Sequence, residues 1–222
     1  MPDFDIKDFC EQCSVPDISG FISKAGKLYN LLLETNRNVN LTRIQSEEDF
    51  WIKHVADSLA ITKFFPELAK DKFSIADVGC GAGFPSLVLA MAFPNLSITA
   101  IDSIGKKTAF VAKAGQELGL QNLEVITGRS RELNRKDEFI ERFDILTARA
   151  VSDLRTLFRE ARRFVKADGR FIFYKTPEQA AAELPQVSKD SKKYSLAWQQ
   201  TEVFDLPEGA GKRLFVYSSR SL

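Results

Sequence analysis

Three glycines at alternate positions, Gly79, Gly81 and Gly83, follow a short apolar run that holds one carboxylate, Asp77. Glycines so placed let the backbone turn through positive φ and leave no Cβ to keep a ligand away, so Ile75 to Gly83 reads as a strand running into a binding turn. The second candidate is Asp102, 23 residues after Gly79 at the end of another apolar run. A carboxylate at that place can accept hydrogen bonds from both hydroxyls of a ribose. The spacing narrows the ligand further. A dinucleotide fingerprint G-x-G-x-x-G would need glycine where Phe84 stands, and a phosphate-cradling loop would need Lys and Ser or Thr where Phe84 and Pro85 stand. The pair of features fits a ligand that carries a nucleoside.

The elements that must position these residues follow from periodicity. Phe73, Ile75, Ala76 and Val78 suit a strand buried on both faces, and Leu87, Val88, Leu89 and Met91 begin a helix with Pro85 in its first turn. From there the pattern alternates: strand 73–79, helix 84–93, strand 96–102, helix 104–119, strands 123–127 and 143–148, helix 153–166 and strand 170–175. Gly119 and Gly169 stand where helix caps belong. Two final strands, 196–204 and 214–217, are joined through the turn at 207–211. Such alternation predicts an α/β fold, a Rossmann-like sheet of seven strands made of five parallel ones and a terminal pair.

Residues 1–65 read as a helical extension packed on this main domain, residues 66–222. An amphipathic helix over 17–35 gives way to a polar tract, and a second helix starts at Ser46 with Glu47, Glu48 and Asp49 matching its positive end. That second helix has Phe50, Trp51, Val55, Leu59 and Ile61 as its buried face. Ligands of doubly wound sheets bind at the carboxyl ends of the strands, where strand order reverses. Gly79, Asp102, Ser130, Arg131, Arg149 and Lys175 all follow strand ends, so they are expected to line one crevice.

With 222 residues, 44% hydrophobic and 27% charged, the chain can bury one sizeable core. No signal pattern opens it and no apolar run approaches the roughly 20 residues of a membrane helix, which predicts a cytoplasmic protein without a membrane partner. Cys10 and Cys13 form a lone C-x-x-C and the only histidine is His54, so no metal site is expected. Residues 103 to 175 carry 16 basic against 10 acidic side chains and are the basic part of the molecule. If the substrate is nucleic acid, its phosphates belong there, on the arginines between 129 and 163.

The glycine turn and Asp102 resemble the first two cofactor motifs of S-adenosylmethionine-dependent methyltransferases, although Asp102 alone would serve NAD equally. Residues around the fourth strand restrict the acceptor. Adenine amino-group enzymes of that class carry Asn/Asp-Pro-Pro-aromatic where this chain has T-A-R-A-V-S, and cytosine-carbon enzymes need a nucleophilic cysteine, of which none follows Cys80. Ring nitrogen N7 of guanine is a nucleophile when neutral and needs no general base.

The ordered set N-x-N-L-T (Asn38 to Thr42), K-H-V-A-D-S (Lys53 to Ser58), D-V-G-C-G-A-G-F-P (Asp77 to Pro85), D-S-I-G-K-K (Asp102 to Lys107), T-A-R-A-V (Thr147 to Val151) and Y-K-T (Tyr174 to Thr176) resembles the glucose-inhibited division protein B family. The resemblance implies a bacterial methyltransferase of guanine N7 in 16S ribosomal RNA, using S-adenosylmethionine on the RNA or on the small ribosomal subunit particle. It implies that Gly79, Gly81, Gly83 and Phe84 meet the cofactor, that Ser130 and Arg131 flank its adenine, and that Arg149 faces the methyl-transfer site as the catalytic residue. The family has a small residue and then Glu after the arginine matching Arg129. Here R-S-R-E puts Arg131 at the Glu position and Glu132 one place later. His54 and Asp57, one turn apart on a predicted helix, are candidates for the substrate side, as are Lys106, Lys107 and Lys175. An arginine directly after a buried strand needs a partner, and the crevice is expected to supply that of Arg149. Its removal is then expected to cost turnover far more than stability.

Overall fold

The computed structural model describes residues 4–37, 39–42, 46–191 and 194–220. Asn38, the first residue of the N-x-N-L-T motif, lies outside them. Five parallel strands form the centre of the sheet: β1 (Ser74–Val78), β2 (Ser97–Asp102), β3 (Leu123–Thr127), β4 (Phe143–Arg149) and β5 (Val165–Lys175). Three antiparallel ones follow, β6 (Leu196–Gln200), β7 (Phe204–Asp205) and β8 (Lys212–Arg220). The order across the sheet is β3-β2-β1-β4-β5-β8-β6, with β7 pairing to β8 off this path. The sheet has eight strands, one more than the expected seven, because the run 196–204 that periodicity read as one strand is split into β6 and β7.

The chain builds outward from β1 to β3 and returns to β4 on the other side of β1, so strand order reverses between β1 and β4. The registers bring Asp102 level with Thr127, Asp77 with Thr147 and Arg149 with Tyr174 at or near the carboxyl ends. Successive residues go to opposite faces. Ile75, Ile145 and Ile172 enter one core, while Ala76, Leu146, Phe171 and Phe173 enter the other.

The first core also takes in helices α1 (Ile6–Gln12) and α2 (Ile18–Asn36) from the N-terminal part. Asp17 caps α2, accepting from Gly20 N at 2.9 Å, and the helix buries Phe21, Ala25, Leu28 and Leu32 along one stripe. Ser46 caps the short α3 (Glu47–Asp49), after which the backbone widens into a π-helix over Phe50–Ala56 before α4 (Asp57–Leu59) and α5 (Ile61–Phe64). Phe50, Val55, Leu59 and Ile61 are buried as expected, whereas Trp51 is half-buried. Helices α6 (Ser86–Ala92) and α7 (Gly105–Glu117) follow β1 and β2. Beyond β3 come α8 (Ser130–Leu133), α9 (Leu154–Ala161) and α10 (Pro177–Ser191).

Two expectations on helix ends are corrected. The helix over 153–166 stops at Ala161, a 3-10 turn spans Arg162–Phe164, and Val165 already opens β5. Phe164 is drawn into the core against Phe139 and Phe143, at centroid distances of 5.3 and 6.1 Å, which pulls the chain out of the helix. Gly169 is no cap but lies inside β5, near a register shift against β4, where a Cβ would stand 2.6 Å from the Asp144 carbonyl oxygen. Helix α10 was not expected. Its start carries a reciprocal box, Gln179 N to Thr176 Oγ1 at 3.3 Å and Thr176 N to Gln179 Oε1 at 3.1 Å, with Pro177 in its first turn.

Candidate active site

The glycine turn lies across the end of β2, with Gly79 N and Cys80 N both donating to Ile101 O, at 2.7 and 3.0 Å. Gly79, Gly81 and Gly83 have φ of 74°, 58° and 91°. A Cβ on Gly79 would meet Val151 Cγ2 at 2.6 Å, and one on Gly83 would meet Leu87 Cδ1 at 2.4 Å, so the glycines let the turn pack against its neighbours as well as bend. Asp102 ties the turn to β2 and to the start of α7: its Oδ2 accepts from Gly81 N at 3.0 Å and its Oδ1 from Ile104 N at 2.9 Å. Each carboxylate oxygen retains a further acceptor site.

Gly79, Asp102, Ser130 and Arg131 line one cleft of about 490 Å³, together with Ile104 and Leu157. That volume lies in the range of about 300–1,000 Å³ typical of small-molecule sites. Ile104 is 41% exposed beside the buried Asp102, an apolar face next to a polar anchor at the cleft wall. The combination fits a nucleoside cofactor. Ser130 Oγ donates to Glu160 Oε2 at 3.2 Å, whereas Arg131 is exposed and touches Glu132 only at 4.0 Å. Lys107 lines the same cleft and Lys106 is exposed beside it.

Arg149, expected to line the same crevice, is not among the residues that line this cleft and is held by the N-terminal part. Its Nη1 donates to Lys53 O at 2.8 Å and to Asp57 Oδ2 at 3.0 Å, and its Nη2 donates to His54 Nδ1 at 3.1 Å. The guanidinium also lies 5.8 Å from the centre of the Phe84 ring, which stacks on His54 at 3.9 Å and 1°. An arginine only donates, so His54 Nδ1 accepts, and Nε2 carries the proton that it gives to Thr42 Oγ1 at 3.2 Å. Phe50, at the start of the π-helix, closes the cluster edge-on to Phe84 and His54. His54 and Asp57, candidates for the substrate side, are both buried and hold Arg149. The partner of Arg149 is thus Asp57, not a ligand. Arg213 on β8 joins them, its Nε 3.3 Å from Asp57.

Lys175 is likewise turned inward, paired with Glu183 Oε2 at 2.7 Å and donating to Ser152 O at 3.3 Å, so it is not presented to a polyanion. The sequence reading did not single out Arg213, Thr42 or Glu183. The only local signal was Thr42, which ends the N-x-N-L-T motif. Cys10, Cys13 and Cys80 are buried free thiols, and burial pushes Cys10 up to about 12 and Cys13 to about 11. No group of side chains fit to hold a metal ion occurs among the described residues.

Asp77 is buried at the end of β1, where its Oδ2 accepts from Ser86 N at 3.2 Å and from Ser86 Oγ, while Oδ1 has no partner among the described residues. Burial raises its pKa to about 6, against the opposing pull of Ser86 and Arg149. Burial and then the charge of Arg149 lower that of His54 to about 2. As pH falls through 6.5 the unfolded chain protonates its histidine and the folded one does not, so this group removes stability at up to about 1.4 kcal/mol per pH unit. Asp77 acts oppositely between about 6 and 4, because there the folded chain takes up the proton first. The two shifts offset each other over that window, and below it the histidine loses this offset. Urea unfolding across the pH range is therefore expected to show a steeper loss between pH 6 and 4 in Asp77→Asn than in the unaltered chain. The single histidine C2 proton should not shift above pH 4 by NMR; a midpoint near 6.5 would sink this account.

The family described as GidB, rRNA small subunit methyltransferase G, matches residues 21–210. A ribosomal RNA small subunit methyltransferase G from Lactobacillus helveticus is 40% identical over 164 residues, covering 73% of this chain and 68% of that one. Another, from Brevibacillus brevis, is 36% identical over 188 residues, covering 85% and 78%. The crystal structure of an S-adenosylmethionine-dependent methyltransferase from Aquifex aeolicus shares the fold, with a TM-score of 0.54 at 17% identity over 87% of this chain and 97% of that one. The mainly parallel sheet, the glycine turn with its acidic partner and the match over most of the chain agree, and this protein belongs to the rRNA small subunit methyltransferase G family of methyltransferases.

Proposed function

We propose that this chain transfers a methyl group from S-adenosylmethionine to N7 of a guanine in 16S ribosomal RNA, on the free RNA or on the small subunit particle. The observation that carries the choice of acceptor is the bonding of the single histidine. Both ring nitrogens of His54 are engaged, one by Arg149 and one by Thr42, so the imidazole is in no position to take a proton from a substrate. Cys80, the one thiol in the glycine turn, is buried and its pKa is raised by that burial, so it supplies no thiolate. Guanine N7 asks for neither a base nor a nucleophilic sulfur. Membership of the family and the activity named for its relatives support the RNA substrate.

When bound, the cofactor supplies a methyl group on a sulfonium, already open to in-line displacement. What remains for the protein is to hold the two reactants at near-attack distance and shut out water. In this reading Gly79, Gly81 and Gly83 carry the amino-acid end, Asp102 takes the ribose hydroxyls, and Ile104 with Ser130 and Arg131 borders the adenine. Phe84 supports the turn, and Arg149 acts through it as a positioning residue, with His54 and Asp57 holding Arg149 in turn. Lys106 and Lys107 stand at the rim, where a phosphate would pass. The compartment proposed is the cytoplasm, and no described helix is long and apolar enough to cross a membrane.

Asp102→Ala is expected to weaken adenosylmethionine binding by about 1–3 kcal/mol, the cost of leaving polar partners unpaired. Unchanged affinity by calorimetry would remove the ribose assignment. The test of the whole reading is to incubate the protein with radiolabelled adenosylmethionine and small-subunit particles or RNA from cells lacking this modification. Label recovered as 7-methylguanosine at one position is the expected result. Cofactor binding without any labelled RNA would overturn the choice of acceptor and leave the fold and cofactor assignments standing.

A further inference from the structure

Helices α8 and α9 leave between them a groove of about 380 Å³, lined by Arg131, Asn134, Arg135, Thr156, Arg159 and Glu160. The groove is pinned at both ends. Ser130 Oγ reaches Glu160 at one end, and at the other Arg163 N donates to Asn134 Oδ1 at 3.0 Å while its Nη1 donates to Asn134 O at 3.1 Å. Its walls therefore do not depend on a ligand for their placement. The α9 side chains that pack the core are Leu154, Leu157, Phe158 and Ala161, which leaves Arg159 on the outer face.

The charges in this groove are close together and largely without counter-charges. Arg142, Arg155 and Arg170 each have a carboxylate partner, respectively Glu124, Asp190 and Glu67. Arg135 and Arg159 are exposed and have no ion pair among the described residues. Arg131 has only the 4.0 Å contact with Glu132, and with both side chains more than half exposed that contact is worth little. Three guanidinium groups thus share one groove with a single carboxylate, Glu160, which already accepts from Ser130. A concentration of like charge without counter-charges raises the local potential and attracts an anion. Planar guanidinium forks favour phosphate, which they can bind through two parallel hydrogen bonds.

Arg131 and Glu160 line both this groove and the cofactor cleft, so a phosphate seated in the groove would be next to the cleft. We infer that the α8–α9 groove is a docking site for the sugar-phosphate backbone of the RNA substrate, in which Arg135 and Arg159 grip phosphates flanking the modified guanine. This rests on the reading that RNA is the acceptor. The contacts are to backbone, so they fix where the RNA lies and leave choice of base to the cleft.

The experiment compares the full chain with Arg135→Gln/Arg159→Gln and with a charge-matched control, Lys27→Gln/Lys72→Gln, whose two lysines are exposed on other faces. Binding to unmodified small-subunit RNA is measured by filter retention over a range of salt, with methyl transfer by the unaltered chain followed in parallel. The slope of log affinity against log salt is expected to become shallower by about 1.5 in the arginine variant, two phosphate contacts having been lost, and to change less in the control. KM for RNA should rise, while adenosylmethionine affinity and the thermal midpoint stay as they were. A slope equal to that of the unaltered chain, or a control that flattens it as much, would overturn the groove assignment even if methyl transfer proceeds. Absence of methyl transfer to RNA by the unaltered chain would overturn the function proposed above, and the slope comparison would still judge the groove.

Discussion

Arg149→Ala is expected to lower conformational stability by about 3–5 kcal/mol, as well as to suppress turnover, because it breaks a buried ion pair by removing one member. The Asp57 carboxylate is only 2% exposed and takes a bond from Arg149 at 3.0 Å. Without the guanidinium its charge is left to Arg213 alone, 3.3 Å away and a quarter exposed. Phe84 and His54 lose the group that lies against both, and displacement of the turn they support by an ångström is enough to cost about a hundredfold in rate. Urea unfolding gives the first number and single-turnover methyl transfer the second. Arg149→Met combined with Asp57→Leu separates them: stability should return, because neither charge remains buried, while turnover stays low. An unfolding midpoint for Arg149→Ala equal to that of the unaltered chain would refute the role given to Asp57. The sequence alone had led to the opposite ranking, turnover lost and stability spared, because it assigned the arginine's partner to the ligand.

Gly79→Ala is expected to reduce adenosylmethionine affinity more than tenfold. Two effects add. The residue sits at φ 74°, where a side chain costs about 1–2 kcal/mol. Its Cβ would also stand 2.6 and 2.9 Å from the two γ carbons of Val151, closer than real contacts allow, so the turn or the segment after β4 must move. Both border the cleft of about 490 Å³. Val151→Ala removes the two γ carbons and leaves Cβ at 3.4 Å, so Gly79→Ala/Val151→Ala should recover the steric part and keep the conformational part. Calorimetric titration of the three variants measures both. Full affinity in Gly79→Ala would mean that this turn is not the seat of the cofactor.

What was legible in the sequence was local. The glycine turn and Asp102 are each announced by a few adjacent residues at the end of an apolar run, and the alternation of strands and helices over 73–175 needed no long-range knowledge. Helix α10 was hidden by Pro185 within it, although T-P-E-Q at Thr176 to Gln179 is a readable start signal. Gly169 looked like a cap because a turn and a strand irregularity use the same residue type, and only the neighbouring strand distinguishes them. The network around Arg149 was out of reach for a different reason. Its bonds join residues 92 to 156 positions apart, and nothing near Asp57 in the sequence states that two arginines from distant strands will converge on it. Lys175 was misread in the same way, since Glu183 follows on a helix that periodicity did not reveal.

The order of the sheet has a consequence for how the molecule comes to exist. Strand β8 lies between β5 and β6 and also carries Arg213, so one of the latest segments in sequence occupies an interior place in the sheet. While the chain is being made from its N-terminus, β5 waits with an open edge and β6 has nowhere to dock until residues 212–220 emerge. The ion-pair network around Arg149 therefore becomes complete only after residues 212–220 have been made, and a nascent chain halted before β8 would display an unpaired hydrophobic strand edge of the kind that chaperones recognise.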